Sequence, residues 1–161
     1  MLSMSSTPLP QFRAPSAGER FFNGMFGFLV GLGFGPAFIY LLEVRGRKSG
    51  RIYSTPVNVM PLDGKRYMVA PRGRTQWVRN AEAAGEVTLK RGSKRETVRL
   101  RALSGAEKLR ILKAYLDTYK SVVQKYFSIP AGSPVEAFSE IAESHPAFEL
   151  IASSDNMKSP S

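Results

Sequence analysis

The chain has 161 residues, no cysteine, one histidine, and 23 Lys and Arg against 13 Asp and Glu, for a net charge of +10. That length buries an adequate core in one domain without disulfide or metal staples. The missing cysteines exclude a disulfide framework, a thiolate nucleophile, a cysteine zinc site and an iron–sulfur cluster. With His145 as the sole histidine, a multi-histidine metal site has no ligands and a Ser-His-Asp triad has one base to draw on, so metal and hydrolytic chemistry are not expected.

Residues 1–20 are rich in Ser and Pro (Pro8, Pro10, Pro15) and lack a periodic apolar face, the composition of a disordered arm. They do not read as a signal peptide, because the apolar run that follows starts late, has no basic segment just before it and leads to no Ala-x-Ala site. Residues 21–42 carry no charge, and 22 such residues are formally long enough to cross a bilayer. Gly24, Gly27, Gly31, Gly33, Gly35 and Pro36 interrupt the run, however. It therefore reads as a short helix over 21–32, a glycine turn and a buried strand over 37–44. Phe21, Phe22, Met25, Phe26 and Phe28 suit a peripheral contact with the inner face of a membrane, in an otherwise cytoplasmic protein. Gly31, Gly33 and Gly35 do not complete a dinucleotide fingerprint, since Pro36 stands at the third glycine position and no strand precedes them.

The middle of the chain reads as β-structure. Residues 52–60 are rich in β-branched types, Asp63-Gly64 is a two-residue hairpin signal, and residues 66–70 resume the strand. Strands over 86–90 and 96–102 follow, joined at Gly92-Ser93. In the second, Thr97, Arg99 and Arg101 alternate with Val98, Leu100 and Ala102. Residues 75–84 form a short helix between the hairpins. Ser104 and Glu107 have the spacing of a capping box. Leu109, Leu112, Leu116, Tyr119, Val123 and Tyr126 then predict an amphipathic helix to about 126, closed by Pro130 and Gly132. A short helix over 135–143 and a last strand over 147–151 complete about five or six mostly antiparallel strands with flanking helices. The organisation is an arm over 1–20, one α+β domain over 21–152 and a loose tail over 153–161.

The charge is unevenly placed. Residues 45–101 hold 15 Lys and Arg against 4 Asp and Glu, a net +11, while the rest hold 8 against 9. Such a field favours an anionic partner. Two clusters stand out within it. Arg45-Gly46-Arg47-Lys48-Ser49-Gly50-Arg51 puts guanidinium forks, a hydroxyl and turn amides between two strands, where they can converge on one anion or simply form a solvated hairpin tip. Residues 69–80 bring together a strand end, a basic turn (Pro71, Arg72, Gly73, Arg74) and a helix start with Gln76, the only Trp (Trp77), Arg79 and Asn80. Helix N-terminal amides bind anions and Asn80 could meet the edge of a planar ring; the alternative is that Trp77 is core and the arginines are solvated. Tyr115, Tyr119 and Tyr126 lie near one helix face and either pack in the core or roof an aromatic ligand. His145, before Pro146, reads as a structural contact.

At these two clusters the sequence resembles the deazaflavin-dependent nitroreductase family, the coenzyme F420-dependent oxidoreductases and quinone reductases of actinobacteria. The resemblance runs over residues 41–80, through the turn at 46–50, Thr55-Pro56, Asp63-Gly64, Val69-Ala70-Pro71 and residues 77–80. It continues more loosely through residues 85–89 and His145-Pro146-Ala147-Phe148. It implies a split β-barrel of the FMN-binding, flavin-reductase-like type. Arg47, Lys48, Ser49 and Gly50 would hold the phosphate and the start of the polyglutamate tail of coenzyme F420. Thr55, Pro56, Ala70, Pro71, Arg72 and Gly73 would line the deazaflavin ring, and Gln76, Trp77 and Asn80 would close the groove. The implied reaction is hydride transfer from the reduced deazaflavin to a quinone or similar electron-poor acceptor, with Tyr115, Tyr119 and Tyr126 as substrate roof or proton donor. The turn at 71–74 lacks a serine found in the family's nitroreductase member, which argues against nitroreduction, and Tyr53 stands where an arginine is thought to bind the tail. FMN is the second cofactor candidate. The other readings are a non-catalytic module for deazaflavin, FMN or a lipid-like ligand, and a basic nucleic-acid-binding protein. The last lacks a helix-turn-helix, zinc or RNP-type motif.

Overall fold

The computed structural model describes residues 38–153; the expected arm over 1–20, the aromatic helix over 21–32 and the tail beyond Ser153 lie outside these residues. Seven strands are described: β1 (Ile39–Arg45), β2 (Ile52–Asn58), β3 (Met60–Leu62), β4 (Lys65–Val69), β5 (Glu86–Arg91), β6 (Lys94–Ala102) and β7 (Ala147–Ala152). They form one sheet in the order β2-β1-β5-β6-β7-β4-β3, with every neighbouring pair antiparallel. Helix α1 (Gln76–Ala84) lies between β4 and β5, and α2 (Gly105–Val123) between β6 and β7.

The two outer strands, β2 and β3, are separated in sequence by Val59 alone. In a flat sheet, six strand spacings of ~4.8 Å would hold them about 29 Å apart, yet two Cα steps reach at most about 7 Å. The sheet must therefore curl until its edges meet, and the Val59 N–H, donating to the Phe38 carbonyl (2.8 Å), carries the β1–β2 pairing one residue further to that corner. The result is a split β-barrel. The expected single strand over 52–60 is thus two strands on opposite edges, which raises the count to seven. Pro56 is tolerated because β2 pairs on one side only.

The hairpin signals hold. Asp63 and Gly64 both adopt positive φ (52° and 77°) between β3 and β4, as a tight type I′ turn requires. Gly85, left-handed at φ 79°, ends α1 by donating its N–H to the Ala81 carbonyl.

Period-2 alternation divides the apolar residues into two cores. Leu42, Val44, Val57, Met68, Val87, Leu89, Val98, Phe148 and Leu150 fill the barrel, with Val78 and Ala81 of α1 packed onto them. On the other face, Tyr67, Val69 and Ala147 meet Ile111, Leu112, Tyr115, Leu116 and Tyr119 of α2. Strand β4 is buried on both faces, since Met68 points to one core and Tyr67 and Val69 to the other.

Two local expectations are corrected. The Ser104–Glu107 capping box does not form. Ser104 makes no side-chain cap bond, Gly105 enters the helix at φ 58°, and the Glu107 carboxylate accepts from Arg101, which also bonds Glu149. A charge-assisted pair outcompetes a neutral cap. Residues 135–143 form two 3₁₀ segments, Val135–Glu140 and Ala142–Ser144, instead of an α-helix, and α2 is kinked at Tyr119 before ending in a 3₁₀ turn, Gln124–Tyr126.

Leu42 is fully buried at the centre of the barrel. Leu42→Ala is expected to cost about 3 kcal/mol, read as a lower urea midpoint with an unchanged slope.

Candidate functional site

Antiparallel pairing fixes which loops share a rim. Four antiparallel steps separate β1 from β4 in the sheet order, so the two strands run in the same direction and their C-terminal ends lie at one end of the barrel. Strand β7 runs opposite to β4, so its N-terminal approach is at that end as well. The turn after β1 (46–51), the turn after β4 (71–75) with the start of α1, and the segment 141–146 before β7 therefore occupy one rim.

The first turn is held by its own backbone. The Gly46 N–H donates to the Arg51 carbonyl (2.7 Å), and Gly50, at φ 76°, donates to the Gly46 carbonyl (3.0 Å). A Cβ on Gly46 would lie 2.7 Å from Tyr53 Cε2 and 2.8 Å from Ser49 Oγ, so glycine permits this close approach. Ser49 Oγ also lies 3.2 Å from Tyr53 Oη and accepts from the Arg51 N–H (3.2 Å). Arg47, Lys48, Ser49 and Gly50 are exposed.

Arg47 joins this turn to α1. Its main-chain N–H (3.1 Å) and its Nη1 (2.7 Å) both donate to Oδ1 of Asn80, which is buried on α1. The Asn80 amide oxygen thus holds Arg47 in place.

The second turn borders an open cleft of about 890 Å³, lined by Pro71, Arg72, Gly73, Arg74, Thr75 and Arg79 on one side and by Tyr126, Ser128, Ile141, Glu143, Ser144 and His145 on the other. Gly73, at φ 86°, lets the turn approach the 3₁₀ segment: a Cβ there would lie 3.3 Å from the Ser144 carbonyl oxygen. Thr75 precedes α1 without capping it, and His145 stacks on Phe127 with ring centroids 4.3 Å apart. Burial pushes the His145 imidazole below its ordinary range, and nearby Lys108 adds to this, while the main-chain carbonyls of Pro71 and Ala70 oppose it. Lys108 is itself lowered by burial, against the pull of Glu143 and with a push from Arg74.

Ion pairing sharpens the basic field. Glu96 takes Arg66, Glu82 takes Arg74, Glu43 takes Arg95, and Glu107 and Glu149 take Arg101. Arg47, Lys48, Arg51, Arg72 and Arg79 form no ion pair among the described residues, so both turns carry uncompensated charge, as do Lys65, Lys90, Lys94 and Arg99 on the strands.

Of the sequence candidates, Pro71, Arg72, Gly73 and Tyr126 meet at the cleft. Arg47 and Asn80 meet each other. Thr55 and Pro56 lie on the edge strand β2, Gln76 is exposed, and Trp77 packs partly against the barrel core. Ala70 is buried, leaving its backbone to contribute. Tyr115 and Tyr119 are core residues, 2 % and 7 % exposed, with rings in edge contact at 5.3 Å. Burial raises the phenol pKa of both. No local signal in the sequence singles out Thr75, and for His145 the one signal is that it is the sole histidine. Among the described residues no group of three or more His, Asp or Glu is placed to hold a metal, and no helix is long and apolar enough to cross a membrane.

A family model described as F420H(2)-dependent quinone reductase matches residues 19–130. Among solved structures, one described as a domain-swapped dimer is 22 % identical, with 83 % of this chain and 92 % of that one covered and a TM-score of 0.51. Atu2129 from Agrobacterium tumefaciens, a protein of unknown function, is 18 % identical over 86 % of this chain and 57 % of its own, with a TM-score of 0.52. An F420-H2 dependent reductase, FDR-A, is 23 % identical over 71 % of this chain and 94 % of its own, with a TM-score of 0.48. The first two likenesses show a shared fold. No curated protein sequence matches the chain.

The depressed His145 predicts a pH dependence of stability. Below the ordinary histidine value of 6.5 the unfolded chain takes up a proton that the folded chain resists, so stability falls as pH falls; above it both forms are neutral and the contribution vanishes. Melting temperatures at about pH 7.5 and 5.5 should differ more for the wild type than for His145→Phe, which keeps a ring on Phe127.

Proposed function

The chain belongs to the F420H(2)-dependent quinone reductase family, and from that premise we propose that it passes a hydride from reduced deazaflavin to a quinone or similar electron-poor acceptor. Membership makes it an oxidoreductase dependent on F420H2. The observation that most supports the finer reading is the double hydrogen bond from Arg47 to Asn80 Oδ1. It ties the basic turn at 46–51 to the helix whose N-terminus borders the cleft, so one helix positions both clusters.

The residues fit the cofactor. A phosphodiester followed by carboxylates is a polyanion, and the turn offers Arg47, Lys48, the Ser49 hydroxyl and the Gly50 backbone with no carboxylate among them. In this proposal those four hold the phosphate and the start of the tail. Thr55 and Pro56 of β2, with the backbone of Ala70 and the turn Pro71-Arg72-Gly73, line the ring. Gln76 and Trp77 close the groove from α1, and Asn80 acts as a positioning residue by fixing Arg47. The bound cofactor supplies the reactive hydride, so the chain needs neither thiolate nor metal of its own. What the protein adds is alignment of donor and acceptor and exclusion of water. Of the three tyrosines, Tyr126 is the one at the cleft and the one proposed to roof the acceptor and hold a proton for its oxygen. Tyr115 and Tyr119 support that wall from the core.

Titration of the purified protein with oxidised coenzyme F420, FMN and FAD, followed by fluorescence, tests the reading. The deazaflavin alone is expected to bind. Lys48→Ala should weaken it about fivefold, the value of one exposed charge contact of ~1 kcal/mol. Asn80→Ala should weaken it as much or more by releasing Arg47. Binding of FMN in preference to the deazaflavin would overturn the proposal.

A further inference from the structure

Two buried side-chain atoms have no hydrogen-bond partner among the described residues, the Thr75 hydroxyl and His145 Nδ1, and both residues line the same cleft. Thr75 is 9 % and His145 6 % exposed. Buried polar groups are nearly always paired, so an unpaired one calls for an explanation.

Their settings differ, yet both unpaired atoms belong to residues that line one cleft. Thr75 occupies the N-cap of α1 with extended backbone, but its hydroxyl does not cap. The Arg79 N–H makes the first helical bond, to the Thr75 carbonyl, so the amides of residues 76–78 are open at the helix start. The His145 ring is stacked on Phe127, close to the main chain of Pro71 and Ala70. A neutral imidazole has one N–H and one lone pair, and with the proton on Nε2 the unpaired Nδ1 is an acceptor. The two residues belong to turns pressed together at Gly73 and Ser144, which sets their separation. Arg72, with no ion pair among the described residues, stands on the rim.

We infer that Thr75 and His145 form a polar anchor for the edge of a planar ring that presents an N–H or O–H beside a carbonyl oxygen. His145 Nδ1 accepts from the ring's donor, and the Thr75 hydroxyl donates to its oxygen. Such an edge is carried by the imide of a pyrimidine-type ring, as in the deazaflavin, and by a hydroxylated quinone. The identity of these two candidates rests on the proposed function; the unpaired atoms do not.

Because His145 is the sole histidine, nitrogen-15 labelling of histidine yields a single imidazole whose Nδ1 resonance reports directly on that lone pair. The full chain is titrated with oxidised coenzyme F420 in one arm and with 2-hydroxy-1,4-naphthoquinone in the other. The Nδ1 resonance is expected to shift toward a hydrogen-bonded nitrogen in one arm, which identifies the ring held. Thr75→Val and His145→Phe should each weaken that ligand about three- to tenfold. Nδ1 unmoved in both arms overturns the anchor whether or not the cofactor binds, as does undiminished affinity in a folded Thr75→Val protein. If fluorescence shows no F420 binding, the proposed function fails separately, and the naphthoquinone arm decides the anchor by itself.

Discussion

One residue, Val59, joins the two outermost strands of a seven-stranded sheet, and the rest of the molecule follows from how little chain that leaves. A link this short cannot cross a flat sheet, so the sheet closes, and closure removes most of the exposed edge that an antiparallel sheet would otherwise offer for association. It also gives the sheet an inside and an outside. Strand β4, near the seam, contributes side chains to both cores, and its tight Asp63-Gly64 turn supplies the short outer strand β3.

Closure brings the chemistry together. Antiparallel pairing is a parity rule, and it sends the C-terminal ends of β1 and β4 and the approach to β7 to the same rim. Three segments far apart in sequence, around residues 47, 73 and 145, become neighbours there without any of them being adjacent along the chain. Helix α1 then acts as the bracket. Its buried Asn80 receives Arg47 from one turn, and its N-terminus rises from the other. Carboxylates are spent on strand arginines such as Arg66, Arg95 and Arg101, which leaves the turns cationic.

The readable parts of the sequence were those in which the local signal and the global fold agree. Asp63-Gly64 and Gly92-Ser93 mark turns because positive φ is cheap at glycine, and the alternation from Thr97 to Ala102 marks a half-buried strand. Where tertiary contacts overrule a local preference, the reading fell short. Ser104 and Glu107 have the right spacing for a capping box, but the Arg101 guanidinium, delivered by β6, captures Glu107. Residues 52–60 look like one strand because β-propensity does not record a change of neighbours at Val59. The tyrosine stripe was legible as a helix face, but whether that face looks into a core or a cleft depends on what packs against it. Tyr115 and Tyr119 meet strands and Phe127, whereas Tyr126, about two turns further and past the kink, meets the cleft.

The sequence by itself determined the composition of the site: a chain without cysteine and with one histidine, a basic excess confined to its middle third, and glycines at the turns where that excess is displayed. These are properties of residue type and order, and they survive any arrangement of the elements. Only the tertiary structure decided which of those groups face one another. Asn80 was legible as a polar residue on a short helix, but its capture of Arg47 across 33 residues required the barrel to close. Thr75 and His145 look unremarkable in their own segments, and their place in the wall of one cleft arises because two antiparallel strands end at the same rim. Long-range pairing is a sum over many weak contacts, and no local window of sequence contains it.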